Sequence, residues 1–575
     1  MTLPYSLSFA VRPLTCLALA LALAMPVAAA AQTDPTAAEK SATNLPKLAL
    51  TPQILYQMLL AEIADGRGDY HLAAGAYADL ARSTRDPRIA RRAAEIAIYA
   101  REPATALEMA KLWAKIDPES PQARQMLVGL LLATQRFNEA TPHLAKLLSL
   151  EGDHVGDALL RLNHLLARYP DKKAAAGLVE RLTQPYDKLP EAHFARAQAA
   201  ENTGDDAKAL TEIGRAQTLR PDWEPAVLFE AQILQKNSHA KALEFLRHYL
   251  DTHPKASQVR LAYARALVGE KQFDQARREY SVLLEANKED PEATYAVALL
   301  SLQLNDLAAA ESGFKRLLDL GFGEANVARY YLGQIAEQGK HPEEALSWYG
   351  KVTPGEQYLA ANVRAAALLA RQGKLEAGRK SLQQAAVADP SERLPLLIAE
   401  SQLLNDAGRT ADAFDLLDGA LAVQPEQPEL LYETALLADK LGRYEVLERN
   451  LRELIKLQPD HAQAYNALGY SLAERNLHLD EAQRLIDKAL ALSPDDAFIL
   501  DSKGWVLYRR GDSNGALGYL QKAYSQRPDP EIAAHLGEVL WMLGRHDEAE
   551  KTWNEAIRAH PGNEALAATI KKFRP

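Results

Sequence analysis

The chain has a single cysteine, Cys16, in 575 residues. That excludes a disulfide framework and any zinc site built on cysteine. No H-E-x-x-H motif occurs, and His248 with His253 has no third ligand in view. No G-x-S-x-G elbow is expected. Gly333 with Gly339-Lys340 superficially suggests a phosphate loop, but the spacing is one residue too long and His341 stands where Ser or Thr would hold magnesium. Strand-type alternation is absent and aromatics are few, 7%. Positive charge is not in excess: the net charge is −10, which argues against nucleic acid as a partner. These absences point away from an enzyme and from a cofactor or metal.

One long apolar run is present. Arg12 precedes Leu14–Met25, then come Pro26 and the alanines Ala28–Ala31. A charged start, an apolar stretch and an A-x-A site read as a secretory signal over residues 1–31, removed after Ala30 or Ala31. An uncleaved membrane anchor is the alternative. Cys16 follows Pro13-Leu14-Thr15, with most of the apolar run behind it. That is a poor lipobox, so Cys16 is expected to leave with the signal and the mature chain to be periplasmic. Residues 32–50, with Pro35, Ser41, Asn44 and Pro46, read as a flexible tether.

What fills the rest is a repeat of about 34 residues. Near the C-terminus Leu536-Gly537, Leu540, Ala549, Trp553, Ala556 and Pro561 recur one unit earlier as Gly504, Leu507, Ala516, Leu520, Ala523 and Pro528. One unit before that stand Leu468-Gly469, Leu472, Ala482, Ile486, Ala489 and Pro494. Gly in the eighth slot lets the first helix of a pair approach the second. Ala in the twentieth and twenty-seventh slots does the same from the other side. Proline ends the second helix, since it has no N–H and clashes with the preceding turn. Gly442, Gly408, Gly373 and Gly204 suit a left-handed turn between the helices.

This pattern resembles the tetratricopeptide repeat (TPR), with roughly 15 helical pairs of which about 11 match well. The resemblance implies an all-α solenoid, a right-handed superhelix of stacked helix hairpins. Residues 51–190 read as an irregular N-terminal arm of degenerate repeats, 191–563 as the regular array, and 564–575 as a closing helix. The poorly matching stretch 151–190 is either drift of the pattern or a bend. Pro354-Gly355 and Gly321-Phe322-Gly323 follow shortened second helices.

In such arrays slots five, nine and twelve of the first helices line the groove. They hold Tyr295, Tyr330, Tyr432, Tyr470, Trp505, Tyr508 and Trp541, the candidate protein-binding residues. Aromatics are typical anchors, although tyrosine there also packs against the next repeat. The last repeats offer no basic clamp for a carboxylate: Asn466, Tyr470, Asp501, Trp505, Ala534 and Glu538 occupy the relevant slots. Arg82, Arg85, Arg88, Arg91 and Arg92 form a candidate docking cluster for an acidic partner or lipid headgroups, or else a solvated helix face.

A signal, a tether, weak N-terminal helices and about 11 good repeats resemble the LbcA-type adaptors of pseudomonads. The resemblance rests on Leu468-Gly469-Tyr470, Asp480-Glu481-Ala482, Lys503-Gly504-Trp505 and Leu536-Gly537-Glu538 with Trp541. It implies a non-enzymatic outer-membrane-associated scaffold. Such a scaffold binds and activates a periplasmic carboxyl-terminal processing protease and brings peptidoglycan hydrolases to it. A scaffold for exopolysaccharide export or envelope assembly, and a glycan- or peptidoglycan-binding module, are the alternatives.

Overall fold

The computed structural model describes residues 45–573, Lys47 apart. The signal and most of the tether lie outside these residues. Among the described residues there are 31 α-helices and no strand. None of the helices is long and apolar enough to cross a membrane. The chain divides into two compact units, one ending at Ala286 and one beginning at Asn287. The first stacks seven helix pairs, from Pro52–Gly66 with Tyr70–Thr84 to Ser257–Gly269 with Phe273–Ala286. The second stacks eight, from Pro291–Gln303 with Leu307–Asp319 to Pro530–Met542 with His546–Ala559, and closes with Glu564–Phe573.

Local chemistry sets the helix ends. Asp290, Asp496 and Asp529 each accept backbone N–H bonds at a helix start, and Pro291 and Pro530 take the first helical position. The helix Tyr444–Leu457 stops two residues short of Pro459. Gly408 turns between helices at φ +76°, a conformation that costs other residues about 1 kcal/mol or more. The packing alanines are wholly buried, among them Ala209, Ala310, Ala413, Ala482 and Ala549.

The eighth-slot glycines mark the closest approaches. A Cβ on Gly504 would stand 2.5 Å from Leu520 Cγ, and one on Gly469 would stand 2.7 Å from Ile486 Cγ1. Each pair thus buries its apolar face against its own partner and the next pair.

The stretch 151–190 is helical too. Val155–Leu166 and Lys172–Thr183 are flanked by short 3-10 turns, Gly152–His154 and Gln184–Tyr186. Residues on either side of position 190 lie in the same unit. The second helix Pro342–Tyr349 has only 8 residues. The chain after it is held by Asn326, whose amide donates to the Thr353 carbonyl (2.9 Å) and whose carbonyl accepts from Thr353 N–H (3.1 Å).

Candidate protein-binding sites

Three first helices carry the C-terminal candidates: Ala462–Glu474, Ala497–Arg509 and Pro530–Met542. The repeat spacing aligns them, so Tyr470, Trp505 and His535 meet. The Tyr470 hydroxyl donates to Glu531 Oε1 (2.6 Å). The Trp505 indole stacks on His535 with centroids 4.0 Å apart and donates from Nε1 to Glu474 Oε2 (2.7 Å). The Tyr508 hydroxyl donates to Glu538 Oε1 (3.1 Å). Burial, then the Glu531 charge, pushes the Tyr470 hydroxyl far up. Burial and Glu538 push Tyr508 up to about 12.

Trp505 is only 4% exposed. It therefore does not stand open to a ligand, because its ring face and its N–H are both used by neighbouring helices. Trp541 is half-buried against Trp553 (5.8 Å) and Phe573 (6.2 Å). Tyr295 packs on Phe322 (5.7 Å), and burial pushes its hydroxyl up to about 12. Tyr330 packs on Tyr331 and Tyr349, and Tyr432 on His461. The seven aromatics are thus partly or wholly packed against side chains of their own or nearby helix pairs.

Sequence reasoning missed His535. Its Nδ1 donates to Asp501 Oδ2 at 2.9 Å. Burial works against its charge, but Asp501, helped by Glu531 and Glu474, overcomes this and raises its pKa. It lies in the sixth slot, one beyond those read as groove positions. A raised histidine contributes stability that is full below the ordinary value of about 6.5 and is lost as pH rises through the raised one. An NMR titration should therefore place the His535 midpoint above 6.5, and Asp501→Asn should bring it down. A midpoint at or below 6.5 in the unaltered chain would refute the pairing.

The arginine cluster is not an open positive patch. Arg82 pairs with Asp79 (2.7 Å) and Glu108 (2.9 Å), Arg88 with Asp86 (2.6 Å), Arg91 with Glu95 (2.8 Å) and Arg92 with Asp65 (2.5 Å). Of the five, Arg85 alone has no carboxylate partner among the described residues. Four of these charges are therefore neutralised within the arm itself.

The arm exposes apolar surface instead. On its first helix, Pro52–Gly66, Leu55, Tyr56, Met58, Leu59 and Ile63 are all exposed. Tyr56, Leu59 and Ile63 share one face by their spacing. The last helix of the chain differs: Leu566 is buried inward while Glu564, Lys571 and Lys572 face outward. A terminal helix of a repeat array ordinarily needs such a polar outer face.

No group of three His, Cys, Asp or Glu side chains is placed to hold a metal ion among the described residues. Gly511–Gly515 does spell G-x-S-x-G. It is a helix-to-helix turn, with Asp512 accepting from Gly515 N–H at the start of Ser513–Gln526, and no strand leads into it.

Stacked helix pairs with small residues at the crossings define a helical-repeat scaffold. The tetratricopeptide repeat family matches residues 234–300, and again 448–497 and 502–564. The chain is 32% identical over 523 residues to the TPR repeat-containing protein PA4667 of Pseudomonas aeruginosa, covering 90% of this chain and 88% of that one. It is 26% identical over 294 residues to cellulose synthase operon protein C of Pseudomonas fluorescens, covering 47% of this chain but 22% of that protein. A solved tetratricopeptide repeat protein from Parabacteroides merdae is similar over 49% of this chain and 97% of its own, at 16% identity and a TM-score of 0.34. The chain belongs to the tetratricopeptide repeat proteins. Its repeats make it a protein–protein interaction scaffold, and proteins of this fold are generally non-catalytic.

Proposed function

We propose that the chain is a periplasmic adaptor, associated with the outer membrane, that docks and activates a carboxyl-terminal processing protease and holds peptidoglycan hydrolases for it. The observation that carries the reading is the exposed apolar face of Pro52–Gly66 at the start of the array. Contiguous exposed apolar patches mark interaction surfaces. The repeats beyond the arm supply a separate surface for the substrate. Holding enzyme and substrate on one scaffold raises their effective concentration without new catalytic groups.

Capture from envelope extract with the full chain tests this. Replacing Tyr56 and Leu59 by glutamate should abolish protease capture and activation, each costing about 2 kcal/mol or more as an interface anchor. Hydrolase capture should persist. Protease activation that survives both changes would place docking elsewhere.

Similarity to cellulose synthase operon protein C supports a second reading, a scaffold for exopolysaccharide export. Export-machine subunits, in place of a protease, would then be captured.

A further inference from the structure

A cleft of about 480 Å³ opens in the second unit between the first helices Ala325–Gln338 and Tyr358–Arg371. Glu337, Gln338, Lys340, Pro342, Arg364, Leu368 and Arg371 line it. Leu368, 7% exposed, belongs to its apolar lining. Two guanidiniums and a hydroxyl hold one carboxylate. Glu337 accepts from Arg364 Nη1 (3.0 Å), from Arg371 Nη2 and from the Tyr349 hydroxyl (2.9 Å). Burial alone would push the Glu337 carboxyl up, but Arg371, Tyr349 and Arg364 outweigh it and hold the carboxyl below its usual range.

Two features make the cleft positive. Both guanidiniums remain open to solvent, at 44% and 62% side-chain exposure. Each carries five N–H donors, more than Glu337 and the Tyr330 hydroxyl near Arg364 can absorb. Lys340 makes no ion pair among the described residues and sits at φ +60°. Most other left-handed residues in turns between paired helices of this unit are glycine (Gly373, Gly408, Gly442, Gly511, Gly544) or asparagine (Asn305, Asn476); His478 is a longer exception, as is Lys271 in the first unit. Lysine is a costly choice there, by about 1 kcal/mol. It adds a third positive charge to the cleft.

We propose that this cleft binds an extended acidic segment of a protein partner, its Asp or Glu side chains taken by Arg364, Arg371 and Lys340. Glu337 is the internal precedent, a carboxylate already held by both guanidiniums. The volume suits a few residues and not a folded domain. Planar guanidiniums can each grip a carboxylate with two parallel bonds. The subsite deepens the scaffold reading and does not depend on the protease: loss of protease capture would leave it standing.

Fluorescence anisotropy on the full chain tests it with three labelled decapeptides. One alternates glutamate and alanine and is amidated. A second carries lysine for glutamate. A third is neutral with a free C-terminal carboxylate. The acidic probe should bind best, and more weakly at 200 than at 50 mM salt, as about a Debye length of screening demands. Arg364→Gln with Arg371→Gln should weaken it about tenfold. Lys340→Gly should weaken it while leaving the fold at least as stable. Glu337→Gln should tighten it about threefold, a gain that misfolding cannot produce. Equal affinity of the acidic probe for the unaltered and double-arginine chains would overturn the proposal. So would a neutral probe binding as tightly as the acidic one.

Discussion

Gly537→Ala is expected to destabilise the last helix pair by about 2–3 kcal/mol. A Cβ there would stand 2.0 Å from Trp553 Nε1 and 2.3 Å from its Cε2. Trp553 is wholly buried, so its ring has no solvent to retreat into. The ring also rests on Trp541 and Phe573, and moving it disturbs the closing helix. Because each repeat touches only its neighbours, the loss should stay local. Hydrogen exchange should show lost protection over Pro530–Phe573 and little change in the first unit. Gly518→Ala is the control: nothing lies within 4 Å of its Cβ position, in the middle of Ser513–Gln526. Helix propensity there should favour alanine by up to about 1 kcal/mol. Equal effects at the two positions would show that eighth-slot glycine is not a packing requirement.

That contact also explains why the fold was legible. Gly537 against Trp553, Gly504 against Leu520 and Gly469 against Ile486 are one short-range contact repeated from pair to pair, with a residue added for the longer turn before Leu479. Periodicity reveals such contacts without any knowledge of distant pairing. The sites were less legible because their partners come from other repeats. The slots placed Trp505 on a first helix, but its burial depends on His535 in the next repeat and Glu474 in the previous one. Part of the arginine cluster's neutralisation was out of view, since Glu108 and Asp65 lie 26 and 27 residues from Arg82 and Arg92, while Asp79, Asp86 and Glu95 stand within four residues of their arginines. The Glu337 cleft depends on Arg364 and Arg371, 27 and 34 residues on. No periodic pattern marks a pairing that happens once.

A larger polar effect than at any exposed ion pair is expected from Arg196→Met, at about 1–3 kcal/mol. Arg196 is 6% exposed, on the helix Pro190–Glu201. Its Nε donates to Thr183 Oγ1 (2.7 Å), its Nη2 to Asp187 Oδ1 (2.5 Å), and its Nη1 lies 3.7 Å from Glu212 Oε2. His193 meets the same Glu212 oxygen at 2.7 Å and the Asp187 carbonyl at 2.9 Å. Methionine fills much the same space but leaves Thr183 Oγ1 and the Asp187 carboxylate without their donors, while Glu212 keeps Arg215 (2.7 Å) and His193. Losing hydrogen bonds in a buried network costs more than an exposed pair contributes. Arg82→Met, which breaks exposed pairs, should cost about 0–1 kcal/mol. Denaturant unfolding of both variants, with hydrogen exchange to locate the loss, separates the cases. The loss from Arg196→Met should centre on Lys172–Thr183, the turn Gln184–Tyr186 and the helix Pro190–Glu201. If it costs no more than Arg82→Met, the network is incidental. If it costs the expected amount, buried charge holds the join near residue 190, where the repeat pattern is weakest and small-residue packing can do least.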